Sequence, residues 1–211
     1  VAAGLFLVGL SYLAKGEKRT YLLFSLAAAC FPYSAFVLPL LTFFGSRPLT
    51  LRGRLIIGAI PLLGYLLFFG GFDPIASLPI PWIQEKLWIY ERLRDSGMAG
   101  DAINVFNIVY VMRLLVFYLL LWKYDVIKEQ APNLSLLLKV FAISYFCFTA
   151  LGALPVMAFR YAELFGVVEI VMVPYLALTM KPEAFGKSLV IVFAFGCMML
   201  NVFYNELLKL S

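Results

Sequence analysis

Thr20-Tyr21-Leu22-Leu23-Phe24-Ser25-Leu26-Ala27-Ala28-Ala29-Cys30-Phe31-Pro32-Tyr33-Ser34-Ala35-Phe36-Val37-Leu38-Pro39-Leu40-Leu41-Thr42-Phe43-Phe44 runs for 25 residues without a charged side chain. A continuous helix of that length is about 37 Å long, more than the roughly 30 Å of a bilayer's hydrocarbon core. Blocks of the same kind fill the rest of the chain, over 1–14, 55–72, 102–122, 134–157, 161–180 and 188–208. Charged or Pro/Gly-rich breaks separate them. Hydrophobic residues make up 64% of the sequence and charged residues 14%, against about 25% charged in an ordinary soluble domain. A soluble fold would leave far too much of this apolar surface in water. The expectation is an all-α, polytopic transmembrane helical bundle, a single transmembrane domain over 1–211. No internal repeat or low-complexity linker divides it.

Pro32 lies at the middle of the opening block, where it removes a backbone donor and clashes with the preceding turn. The block is then either one kinked span or two half-helices that enter and return. Broken helices at membrane depth need protein or a wet cavity around them. Counting basic residues separates the two readings. If every block crosses once, Lys15, Lys18, Arg19, Lys86, Arg92, Arg94, Arg160 and Lys209 share a side, eight against eight, with Arg113 inside a span. The positive-inside rule does not favour an even split. If 20–44 is re-entrant, Lys15, Lys18, Arg19, Arg47, Arg52, Arg54, Lys123, Lys128, Lys139, Lys181 and Lys187 lie inside, eleven against five. That arrangement fits the rule and predicts about six spans plus one re-entrant helical hairpin.

The block at 1–14 covers roughly 21 Å before Lys15, too short to cross, and it starts at Val1 without a basic n-region. It reads as the end of a span, so a fragment lacking N-terminal spans is expected, rather than a signal peptide. Between 73 and 101 lies the only long polar stretch. Its segment from Pro81 to Arg92 mixes Trp, Tyr and both charge signs, the composition of an interfacial helix. In the re-entrant arrangement this loop is periplasmic and shares its face with Arg160.

Several chemistries drop out. Histidine is absent, which removes Ser-His and Cys-His catalysis and His-based metal sites from this segment. Cys30, Cys147 and Cys197 sit far apart in apolar blocks, with neither metal-ligand spacing nor a disulfide partner, and read as packing residues. No Gly-rich phosphate loop or nucleophile elbow occurs. No metal and no cofactor is expected. The net charge of +5 follows from Lys and Arg at cytoplasmic helix ends and calls for no nucleic acid.

The candidate chemistry lies in Leu154-Pro155-Val156-Met157-Ala158-Phe159-Arg160-Tyr161-Ala162-Glu163-Leu164-Phe165-Gly166-Val167-Val168-Glu169. A charge kept between two apolar blocks usually faces a cavity or a partner. Glu163 follows Arg160 by three residues, so the two share one helix face and can pair. They either anchor a hairpin or form an anion site, with an Arg fork for phosphate and an acid for proton work. Glu169 sits deeper and either finds a partner of its own or is protonated. Arg113, inside a span after Asn104 and Asn107, can pair with Glu169 or Glu206 or snorkel toward an interface. Arg92 and Arg94 either attract an anionic lipid head group or anchor the interfacial helix. Asn201, Tyr204 and Asn205 share a face and suit polar helix contacts.

Two stretches together resemble the EpsG-like and Wzy-type oligosaccharide repeat-unit polymerases. Ala2 to Gly16, continuing to Ala27-Ala28-Ala29-Cys30-Phe31-Pro32-Tyr33-Ser34-Ala35-Phe36, is similar to the family's span, basic loop and Phe-His-x-Ser-Ala segment. Arg160 to Pro174 is similar to its Arg-x-x-Glu-Leu-Phe-x-x-x-Glu-Ile pattern, and Lys86 and Tyr90 precede an Asn-bearing span as in the family. Pro32 stands where the family usually has histidine, so no catalytic role is assigned there. The resemblance implies a glycosyltransferase-type polymerase of O-antigen or exopolysaccharide assembly, multi-pass in the bacterial inner membrane. Such enzymes move a glycan from undecaprenyl diphosphate onto the next lipid-linked repeat unit at the periplasmic face. It implies catalytic roles for Arg160 and Glu163 and substrate contacts from Arg92, Arg94, Lys86, Tyr90, Arg113 and Glu169. The partners implied are undecaprenyl-diphosphate-linked oligosaccharide and membrane lipid, with a chain-length regulator protein as a further candidate. A polysaccharide flippase or other transporter is the alternative, which the lack of repeated halves weighs against.

Overall fold

Lipid offers no hydrogen-bond partner to a backbone amide, so apolar blocks close their bonds within helices. The computed structural model describes residues 1–71, 84–85, 88–89, 92, 103–180 and 182–203, and every regular element among them is helical. In chain order these are α1 (Ala2–Ala14), α2 (Lys18–Ala29), a 3-10 arm (Tyr33–Phe43), α3 (Leu51–Phe69), α4 (Ile108–Trp122), the single turn α5 (Tyr124–Ile127), α6 (Leu134–Ala150), α7 (Pro155–Gly166), the single turn α8 (Glu169–Met172), a 3-10 turn (Val173–Thr179) and α9 (Glu183–Phe203). Among the described residues, two stretches, Leu51–Phe69 and Pro155–Thr179, are long and apolar enough to cross a membrane.

The 20–44 block doubles back. Helix α2 ends at Ala29, and Pro32 takes an extended backbone (φ −103°, ψ 139°). The chain then returns as the 3-10 arm, with Pro39 inside it, where the missing N–H and the tighter winding are compatible. Tyr21 Oη donates to the Leu38 carbonyl at 2.6 Å, tying the two limbs together. The returning chain finishes beside its starting point, because Ser46 Oγ donates to the Ala14 carbonyl at 3.1 Å. Lys139 Nζ donates to Gly45 O at 2.6 Å, Ser135 Oγ to Ser46 O at 2.9 Å, and the Leu49 amide to Tyr124 Oη at 3.0 Å. Both ends of the block therefore lie at one end of the bundle, with α6 fastening the second.

Helices α3 and α6 pack closely, and Gly64 permits it. A Cβ there would collide with Thr149 Oγ1 and approach the Phe146 carbonyl to 3.2 Å, the small-residue contact typical of apolar helix pairs. Tyr118 Oη donates to Gly58 O at 2.8 Å and joins α4 to α3. Below them Arg54 and Asp125 pair at 2.8 Å, and Lys128 holds the same carboxylate at 3.0 Å. The block expected at 102–122 becomes helical only at Ile108. Asn104 and Asn107 turn the chain instead, their Oδ1 atoms accepting from the amides of Phe106 and Val109 at 3.0 Å each, which competes with helix.

Of the 73–101 loop only Gln84, Glu85, Trp88, Ile89 and Arg92 are described, all helical. Lys86, Tyr90 and Arg94 lie outside the described residues, as do Tyr204, Asn205, Glu206 and the Asn201 side chain.

Candidate active site

Helix α7 begins at Pro155, where a fixed φ suits the first turn and the missing N–H costs nothing. Its buried side, Ala158, Ala162, Leu164 and Phe165, seats it against α6, where Ser144 Oγ donates to the Ala162 carbonyl at 2.7 Å. That seating sets the rotation of the charged residues. Arg160 and Glu163 are both exposed, and among the described residues no ion pair joins them. Three residues along a helix leave side chains about 60° apart, and here the two part company. Glu163 lines a cavity of about 520 Å³, whereas Arg160 does not.

The arginine that does reach this cavity is Arg113, from α4. Its Nε lies 3.0 Å from Glu169 Oε2, and both residues line the cavity with Glu163. Of the two partners left open for Arg113, Glu169 is the one found. The pair spans the point where α7 ends and the short α8 begins, so it faces an interrupted helix. The contact is Coulombic. The buried Nε makes no hydrogen bond, and no described residue accepts one from the guanidinium. Tyr110, one turn before Arg113, places its ring 5.3 Å from the guanidinium carbon and lies within electrostatic reach of Arg113, Glu163 and Glu169. The Tyr110 ring stacks on Phe148 with centroids 3.5 Å apart. Tyr110 did not figure among the sequence candidates, although its i, i+3 spacing to an intramembrane Arg is a readable signal.

The remaining wall is apolar. Val173 and Pro174 follow the break, and Val190, Phe193 and Cys197 face it from α9. Charge is thus gathered on the α4 and α7–α8 side of a chamber that is otherwise hydrocarbon. Such a site is suited to an amphiphile with an anionic group, because a guanidinium with unfilled donors offers a planar fork to phosphate or carboxylate. Glu163, with no ion-pair partner among the described residues, is placed to accept a proton inside it. Arg92 stands apart on the described part of the loop, its guanidinium stacked 3.8 Å over the Trp88 ring. Such a stack suits interfacial anchoring.

Comparison with known proteins gives one match. The EpsG family model matches residues 1–210. No curated protein matches the chain, and no solved structure does. A match over essentially the whole sequence, on a helical chain with stretches apolar enough to span a membrane, settles the family: the chain belongs to the EpsG family, a polysaccharide-polymerase-like family of membrane proteins.

Proposed function

We propose that this chain polymerises lipid-linked glycan repeat units at the periplasmic face of the bacterial inner membrane, using the Arg113, Glu163 and Glu169 cavity. In this reading the bundle has about six spans with 20–44 as a re-entrant hairpin, the topology favoured by the basic-residue count. The donor is a glycan on undecaprenyl diphosphate and the acceptor is the next lipid-linked repeat unit. A hydroxyl of the acceptor sugar attacks the donor's anomeric carbon and forms the new glycosidic bond. The bond from that carbon to the diphosphate oxygen breaks, and the diphosphate leaves with the electron pair. Glu163 takes the hydroxyl proton. Arg113 stabilises the charge growing on the departing diphosphate, and Glu169 holds the guanidinium in place. Arg160, one turn before Glu163 and about 5 Å along the axis, meets the second phosphate or the head group at the rim. Arg92 and Arg94 draw anionic head groups toward the loop.

One observation carries this reading. The Arg113 guanidinium, whose buried Nε makes no hydrogen bond, faces a 520 Å³ cavity beside Glu163, a carboxylate with no ion-pair partner among the described residues. Leaving a buried donor unmet costs about 1–3 kcal/mol, and an anion bound at the guanidinium would offset it.

The test is Glu163→Gln and Arg113→Met in cells, scoring glycan length and the arrival of repeat units at the outer face. Loss of long chains with single units still arriving is the expected result. If no units arrive, transport is the better reading, and normal chain lengths in both variants would remove these residues from the site.

A further inference from the structure

Helix α7 has a second cavity on its other side. It measures about 340 Å³ and lies between the returning 3-10 arm, α6 and α7, with Leu40, Phe44, Ile143, Cys147, Tyr161 and Phe165 among its walls. No polar atom is exposed in it. At about 100° per residue, Tyr161 and Phe165 point away from Glu163, Gly166 and Val167, which serve the charged cavity. One short helix therefore divides a charged chamber from a hydrocarbon one.

We infer that this second cavity holds the head-proximal isoprene units of the acceptor's tail, so that the two lipid-linked substrates lie on opposite faces of α7. The inference rests on the polymerase reading, which needs two lipid-linked molecules in the protein together, their reacting ends meeting at Glu163. Two tails cannot share one chamber with the diphosphate. A helix about 10 Å across with a site on each face keeps the tails apart and lets the head groups converge beside Glu163. The wall chemistry is selective, because phosphate or sugar in a chamber without polar atoms would go unsolvated. A hydrocarbon chain loses nothing there and gains burial. The charge is also placed for it. Arg160 is exposed, has no ion-pair partner among the described residues and lies about 100° round α7 from Tyr161 and about 60° from Glu163, so a cation stands between the two lined faces, where the head groups of both substrates would meet.

The full chain in proteoliposomes provides the test, with repeat units on undecaprenyl diphosphate as donor and either undecaprenyl-linked or methyl-linked diphosphate repeat units as acceptor. Ile143→Phe and Cys147→Phe narrow the chamber from α6. Each should raise KM for the isoprenoid acceptor roughly tenfold or more, since several methylene groups lose burial, and leave the methyl-linked acceptor, which has no tail to place there, unchanged. A rise for both acceptors, or for neither, would overturn the inference. Benzoylphenylalanine at Leu40, a lining residue with 57% exposure, should photocapture the radiolabelled undecaprenyl-linked acceptor, also in a Glu163→Gln background. Capture of phospholipid alone, or of neither lipid, would show that no acceptor tail sits there. If Glu163→Gln polymerises normally while Leu40 still captures the acceptor, the tail site stands and the role of Glu163 falls.

Discussion

Replacing Arg113 with Met tests whether the ion pair at the α7–α8 break holds the bundle together. Arg113 Nε and Glu169 Oε2 are 3.0 Å apart, and the two side chains keep 26% and 14% of their exposure. At an effective dielectric of about 20, charges at that separation attract by roughly 5 kcal/mol, and desolvation of both groups cancels most of it. Removing one partner does not resolvate the other. Glu169 would be left against Val173, Pro174 and Phe193 with no compensating charge. Losing one member of a buried pair costs about 3–5 kcal/mol, and the remaining exposure of Arg113 places this case near the lower end, at about 3 kcal/mol. Glu169→Gln strands the guanidinium in the same way and should cost a similar amount. The double variant removes both charges, so its cost should fall short of the sum by about 2–3 kcal/mol, the mark of a directly coupled pair. Purified protein in lipid bicelles, unfolded with denaturant and followed by tryptophan fluorescence, supplies the three differences. Costs that add to within about 0.5 kcal/mol would show that the two charges do not support each other, and the site geometry would lose its anchor.

Three more outcomes follow from the packing and the loops. Gly64→Ala pushes a methyl into Thr149 Oγ1 and toward the Phe146 carbonyl; thermal unfolding should show a loss of about 1–3 kcal/mol, partly recovered by adding Thr149→Ala, and a fully stable Gly64→Ala would mean α3 and α6 are not in close contact. Gly45→Cys, with the three native cysteines replaced, should escape an impermeant thiol reagent applied from outside, since Gly45 O is held by Lys139 Nζ at the end where the hairpin began; outside labelling would mean that 20–44 crosses. The hydrogen bond from Lys128, with help from Arg54, holds the Asp125 carboxyl below the usual carboxylate range. A depressed folded-state value gives stability that is present above the unfolded value of about 3.9 and lost as pH falls through the folded one, so Asp125→Asn should flatten the acid limb of an unfolding-midpoint profile, and an equally steep limb would show the pair to be incidental.

The path of the chain was readable where one residue type has one physical consequence. Pro32 removes a donor and kinks or breaks a helix, and the clustering of Lys15, Lys18, Arg19, Arg47, Arg52 and Arg54 decides for both flanks of the block on one side; the bond from Ser46 to Ala14 agrees. The winding of the second limb was not readable, because a 3-10 arm with Pro39 inside it has the same apolar composition as an α-helix. The start of α4 slipped by several residues for a related reason. Asn104 and Asn107 can lie on a helix face or turn the chain, and the choice between them depends on their own backbone hydrogen bonds.

The site was harder, and Arg160 shows why. Spacing alone puts Arg160 and Glu163 on one face of α7, but a difference of about 60° is enough to put one on a cavity wall and leave the other off it. Which of the two faces inward depends on how α6 seats α7, through contacts such as Ser144 with Ala162. Periodicity within one helix carries no record of that seating. Cost is the better guide. An Arg in the middle of an apolar span is more expensive than one at a break between spans, and it persists only with a partner, a cavity or a ligand. Arg113 has the first two, and its buried Nε, which makes no hydrogen bond, points to the third. Ranking charges by what it costs to keep them dry puts Arg113 and Glu169 ahead of Arg160, and Tyr110 then follows from its place one turn away. In an apolar bundle of this kind, the charge hardest to justify by packing is the first to test for chemistry.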